Sequence, residues 1–123
     1  MSIYPAGYGL NKYDLFWGKI ARGEFIRRAA YVSNATATLY TCPSNKRAYI
    51  VQLFVSWYVT DAAHVRVYIT ASDETKHYIV VQRTLSGNFA IYDVIPLLPG
   101  DSLSIDSTST SAYGWITVYI VEV

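Results

Sequence analysis

From residue 24 onward, apolar and polar positions alternate with a period of two, the pattern of half-buried strands. The longest run is 47–60. Its odd positions Tyr49, Val51, Leu53, Val55, Trp57 and Val59 are all apolar, and its even positions mix Ile50 and Phe54 with Gln52, Ser56 and Thr60. One face belongs in a core and the other is half covered. Residues 64–71 put Val65, Val67 and Ile69 inward and His64, Arg66, Tyr68 and Thr70 outward. Residues 102–107 put Leu103 and Ile105 inward and Ser102, Ser104 and Asp106 outward. Further strands are expected at 24–32, 37–42, 77–85, 89–95 and 113–123. Turn-forming clusters separate them at 43–46, 72–75, 86–88, 98–101 and 107–111. In 98–101, Pro99 precedes Gly100, which reads as a type II turn.

About eight strands with short connections leave no room for crossover helices, so the strands should pair antiparallel. Two sheets must face each other to bury the apolar faces. The expected fold is an all-β, eight-stranded antiparallel β-sandwich, most simply a single jelly roll. An immunoglobulin-like sandwich is the alternative, without the paired cysteines of its antibody form. Residues 24–123 form this domain. Residues 1–23 read as an extended N-terminal arm, punctuated by Pro5, Gly7, Gly9, Gly18 and Gly23. A short helix is expected inside the arm, starting near Asn11 and Asp14, with Tyr13, Phe16, Trp17 and Ile20 on one face.

Composition narrows the classes. The chain has 123 residues, enough for one domain, with 52% hydrophobic and only 15% charged residues. Twelve of its aromatics are Tyr, beside 3 Trp and 4 Phe. This β-favouring composition argues against a helix bundle and against disorder. Net charge is +1, which gives no basis for a nucleic-acid partner. Residues 1–28 carry five bases against two acids and the remainder five against seven, so a mildly basic arm precedes a mildly acidic body. Cys42 stands alone, so there is no internal disulfide and no multi-thiolate zinc site; it reads as a small buried hydrophobe. No signal peptide and no membrane-spanning run are read.

Little catalytic material is present. His64 and His77 lack ligand-spaced companions and read as surface histidines, even if a 70–75 hairpin made them cross-strand neighbours. The carboxylates are scattered. Asp93 is the odd one, sharing the alternating face of Phe89 and Ile91, so that it is either buried and paired or marks a wet sheet edge. No enzyme, cofactor or metal is expected. Asn34–Ala35–Thr36 matches the N-glycosylation pattern in an accessible loop. The last strand is two-sided: Tyr113, Trp115, Thr117, Tyr119 and Val121 form one row, and Ile116, Val118 and Ile120 the other. A small monomer has no need of a two-sided apolar strand, so the outer row marks an interface. Cover by the chain's own arm is one alternative and a carbohydrate platform another. The interface candidates are Phe16, Trp17, Arg22, Arg27 and Arg28 from the basic segment, with Tyr113, Trp115 and Tyr119 from the last strand.

The stretch from Ala37 to Val51, ATLYTCPSNKRAYIV, resembles the "LYTVPAGKRAxI" opening of small virion proteins of tailed phages. Leu97-Leu98-Pro99-Gly100-Asp101-Ser102-Leu103 follows in order, like their "LxxGDxL", and Val121-Glu122-Val123 resembles their "GVEV"-like tail. Cys42 and Ser44–Asn45 depart from the usual Val and Ala–Gly, and the Tyr-rich composition is similar to that of proteins from viruses of thermophilic archaea. The resemblance spans roughly residues 36–123, about seven-tenths of the chain. It implies a non-enzymatic structural protein of the virion: a shell, decoration or vertex subunit, or part of a tail or fibre. Its implied partners are copies of itself and other virion proteins; the competing class is a module that binds a glycan or host receptor.

Overall fold

The computed structural model describes residues 12–60, 62–83 and 86–123. Residues 1–11 of the arm, the expected cap at Asn11 and the end of the strand expected to reach Leu85 lie outside the described residues. Among the described residues there is one helix, α1 (Lys12–Ala21), and nine strands: β1 (Ile26–Ser33), β2 (Thr36–Thr41), β3 (Ala48–Val59), β4 (Val65–Thr70), β5 (Lys76–Gln82), β6 (Ser86–Ile91), β7 (Ile95–Leu97), β8 (Ser102–Ser107) and β9 (Ala112–Glu122). Among the described residues no helix is long and apolar enough to cross a membrane.

All strand pairs are antiparallel and form two sheets. Sheet A runs β1-β9-β3-β6, with β7 pairing the same edge of β3 further along; sheet B runs β2-β8-β4-β5. The chain changes sheet at every connection except the β4–β5 hairpin and the β6–β7 step. The core lies between the sheets. Ile50, Leu53, Val55, Val118 and Ile120 from sheet A meet Val65, Val67, Leu103 and Ile105 from sheet B, all essentially inaccessible.

Three differences from the sequence reading have physical causes. The strand expected at 89–95 is two strands, which makes nine rather than eight. A bulge in β3 is responsible: its register to β9 slips between Ile50 and Gln52. Beyond the slip β3 pairs Leu53 with Ile91, before it Ile50 with Ile95, and Tyr92–Asp93–Val94 loop out between. Asp93 is therefore at a wet edge. The bulge also exchanges faces, so that Ala48 and Ile50 point inward before it and Leu53, Val55, Trp57 and Val59 after it, while Tyr49 and Val51 do not reach the core. Second, residues 86–88 begin β6 rather than form a turn. Gly87 sits opposite Trp57, whose indole occupies the space above it; a Cβ on Gly87 would lie 3.0 Å from that ring. Third, the short helix expected inside the arm forms over residues 12–21, but it turns Phe16, an interface candidate, toward the chain's own sheet. Phe16 is buried against Tyr49, with ring centroids 5.0 Å apart. Gly23 at φ +69° ends the helix: its N–H bonds the Ile20 carbonyl and that of Glu24 bonds Lys19, the paired bonds of a Schellman cap.

Other expectations hold. Gly100 has φ +88° and the Asp101 N–H bonds the Leu98 carbonyl, as a type II turn requires. Cys42 is buried, its thiol donating to the Lys46 carbonyl at 3.4 Å. The β4–β5 hairpin forms, but His64 and His77 lie at its opposite ends, since His77 pairs with Ile69. The edge strands carry irregularities. Arg28 on β1 is at an inward register, opposite Val118. β2 slips register at Leu39 and β5 at Ile79, and β7 contains Pro96.

Candidate protein–protein interface

The two outer faces differ in chemistry. On sheet A the register aligns outward rows: Ser33, Tyr113, Tyr58 and Ser86; Tyr31, Trp115, Ser56 and Asn88; Ala29, Thr117, Phe54 and Ala90; Arg27, Tyr119 and Gln52. Arg27 is the single charge among these positions. Tyr31 is 53% exposed and Trp115 47%, with ring centroids 5.3 Å apart. Tyr113 stacks near Tyr31 and Trp115 and lies 6.3 Å from Tyr58. These rings make an aromatic ridge at one end of the face. Apolar, aromatic-rich and nearly uncharged is the composition of the centre of a protein interface.

At the other end, α1 lies over the sheet. Between the helix and the sheet is an open cleft of about 540 Å³, lined by Trp17, Ile20, Phe25, Val51, Gln52, Tyr92, Val94 and Tyr119. Phe25 packs edge-on to Tyr119, and Tyr92 edge-on to Phe54. The looped-out Tyr92 and Val94 owe their place here to the β3 bulge.

On sheet B the outward rows are Thr36, Asp106, Arg66 and Val81; Thr38, Ser104, Tyr68 and Tyr78; Thr41, Ser102, Thr70 and Lys76. This face is hydroxyl-rich and charged. Arg66 donates two hydrogen bonds to Asp106, at 2.8 and 2.6 Å, and its guanidinium lies over the Tyr78 ring. Asp106 is only 5% exposed although it faces outward, because β8 is central and flanked on both sides. At the β1–β2 side of the sandwich the Tyr40 hydroxyl donates to Glu122 at 2.5 Å, and Lys46 stands 3.8 Å from the same carboxylate. Burial, reinforced by Glu122, pushes the Tyr40 phenol well above its usual range.

The sequence-derived candidates separate accordingly. Trp17, Arg27, Tyr113, Trp115 and Tyr119 share the sheet A side. Phe16 is 7% exposed and internal to the chain. Arg22 pairs with Glu24 at 3.0 Å beyond the helix end. Arg28 lines a polar recess with Tyr40 and Glu122 on the other side of β1. Sequence reasoning did not single out Tyr31, Phe54, Tyr58, Phe25 and Tyr92. Tyr31 and Tyr58 join the last strand's row only through cross-strand register. Among the described residues no group of three His, Cys, Asp or Glu is placed to hold a metal ion.

No protein-family model matches the sequence, and no curated protein matches it significantly. Among solved structures the chain is similar in fold to two crystal structures, each of a pentameric capsid protein isolated from metagenomic phage sequences. Both superpose with a TM-score of 0.50 at 14% identity over 76% of this chain, which spans 59% and 63% of theirs. At this identity the likeness is one of fold: an all-β, two-sheet antiparallel architecture shared with capsid proteins.

Proposed function

We propose that the chain is a non-enzymatic structural protein of a virus particle, a single jelly roll that associates with copies of itself and docks onto other virion proteins. The observation that carries the reading is the fold shared with the pentameric phage capsid proteins. Strand order supports the jelly-roll assignment. Taking β6 and β7 as one interrupted strand, eight strands remain in the orders 1-8-3-6 and 2-7-4-5, and the chain wraps between the sheets as two Greek keys do. The outer face of sheet A supports association, because monomers seldom expose an apolar face of this extent.

Residues 1–23 form the arm of this reading and 24–123 the domain. Shell, vertex and decoration positions all suit a subunit of this kind. The test is assembly: the expressed chain, imaged with the other proteins of its particle, should enter that particle. A chain lacking residues 1–23 should keep its strand content and fail to enter. Exclusion of the full-length, folded chain from particles would refute the proposal.

One observation favours a second reading. Tyr78 is half exposed on sheet B beside the fixed Arg66–Asp106 pair, an aromatic surface next to oriented polar groups of the sort that binds sugars. Binding on a glycan array that Tyr78→Ala abolishes would establish this receptor-binding role in its place.

A further inference from the structure

The outer face of sheet A has relief as well as composition. The aromatic ridge of Tyr31, Tyr58, Tyr113 and Trp115 rises at one end, and the cleft beneath α1 opens at the other. Between them the row crosses small side chains, Ala29, Thr117 and Ala90, on three of its four strands. Ridge, saddle and cleft lie along one strand direction, and Trp115 and Tyr119 are four residues apart on β9, roughly 13 Å.

We infer that this face is self-complementary: two copies pack sheet A to sheet A in opposite directions, and the ridge of each enters the cleft of the other. A twofold axis near Thr117, midway between Trp115 and Tyr119, generates both contacts at once, as an isologous interface requires. The inference deepens the reading of the chain as a self-associating protein and rests on it.

Area and charge both favour a second copy as the occupant. Seven aromatic residues on this side (Trp17, Phe25, Tyr31, Phe54, Tyr58, Tyr92 and Trp115) are each about a third to two-thirds exposed. At roughly 75–125 Å² apiece they offer roughly 500–900 Å², against about 800 Å² per partner in a standard interface. Arg27, the one charge of the rows, lies at the cleft end, opposite Tyr119. Antiparallel packing about that axis sets it over the partner's uncharged row of Tyr31, Trp115, Ser56 and Asn88, so no like charges meet across the contact.

Sedimentation and cross-linking of the full-length chain test the contact. The wild type should sediment as a dimer or a larger even-numbered assembly. Trp115→Ser, at an exposed position that leaves the fold intact by circular dichroism, should weaken the association about tenfold or more and halve the sedimenting mass. Trp115→Cys and Val94→Cys copies, mixed with a short bismaleimide, should cross-link to each other far more than either does alone; native Cys42 is buried and should not compete. A monomeric wild type, a mass unmoved by Trp115→Ser, or preferential Trp115→Cys self-cross-linking would each overturn the antiparallel contact. A monomer that still enters particles would overturn this contact alone. A dimer excluded from particles would overturn the virion reading alone.

Discussion

Gly114→Ala is the most direct probe of how the two sheets meet. Gly114 lies within β9, between Val32 on β1 and Trp57 on β3, and faces the opposite sheet. A methyl group there would stand 2.8 Å from Val65 Cγ1, 3.1 Å from Ile105 Cδ1 and 3.5 Å from Val32 Cγ2. Ordinary carbon contacts lie near 3.5–4.0 Å, so two of the three are too close by several tenths of an ångström or more. All three neighbours are buried, and Val65 and Ile105 belong to the facing sheet, so relief would require the sheets to move apart. Overpacking of this kind costs about 1–3 kcal/mol. Alanine recovers about 0.5–1 kcal/mol of that by restricting the unfolded backbone. The net expectation is a loss of about 1–2 kcal/mol, or about 3–10 °C in Tm for a chain of this length. Urea unfolding followed by tryptophan fluorescence and circular dichroism measures it. Protein concentration must be held fixed, because the proposed association would stabilise the folded chain. Val65→Ala opens space at the tightest contact, so the double variant should lose less than the two single losses combined, with a coupling of about 1 kcal/mol. A Gly114→Ala protein as stable as the wild type, or strictly additive losses in the double variant, would show that the sheets have slack here and refute the close-packing argument.

Asp106→Asn should cost about 2–3 kcal/mol in urea unfolding, below the range for a fully buried pair because Arg66 is partly exposed. Alkaline pH should destabilise the fold. Burial raises Tyr40, Tyr68 and Cys42 above their ordinary values of 10.0, 10.0 and 9.0, with Glu122 adding to the rise at Tyr40. The folded chain therefore keeps protons that the unfolded chain releases, and stability is lost as pH climbs through about 9 to 11, by about 1.4 kcal/mol per unit for each group. Tyr40→Phe should make that decline shallower in pH-dependent unfolding. Cys42→Ala should lower stability by about 1 kcal/mol and leave the sedimenting mass unchanged, as befits a small buried side chain.

The strands and their order along the chain were legible because alternation is local. Val65, Val67, Ile69, Leu103 and Ile105 point inward as the pattern requires. Where both faces of a strand are apolar, alternation is silent. In β3, Ile50 and Val51 are equally apolar, and only the paired strands reveal that a bulge passes the inward role from Ile50 to Leu53. Gly87 looked like a turn because its neighbours are Ser86 and Asn88; the Trp57 ring that lets a glycine serve in a strand is thirty residues away in sequence. Ser104 and Asp106 read as solvent-facing because nothing in their own strand shows that β8 is central. The aromatic ridge was half legible for the same reason. Trp115 and Tyr119 announced themselves within one strand, whereas Tyr31 and Tyr58 belong to the ridge only through register with β9.

Each sheet edge carries an interruption: the inward-register Arg28 on β1, the register slips of β2 and β5, and the looped-out Tyr92–Asp93–Val94 followed by Pro96 beside β3. An unpaired edge is a template on which another chain can add a strand, and crowded copies of a Tyr- and Val-rich sequence are prone to that reaction. Here bulges or loops break the edge of β2, β5 and the β6–β7 side, and the edge of β1 is guarded by an inward-register charge. Copies packed as proposed would meet through side chains on their faces without merging into a common sheet. That separates ordered assembly, which stops when the faces are matched, from fibre growth, which does not stop. A variant that removed the guarding charge from an edge, such as Arg28→Val, would therefore endanger the protein at high concentration more than it would alter the stability of the isolated fold.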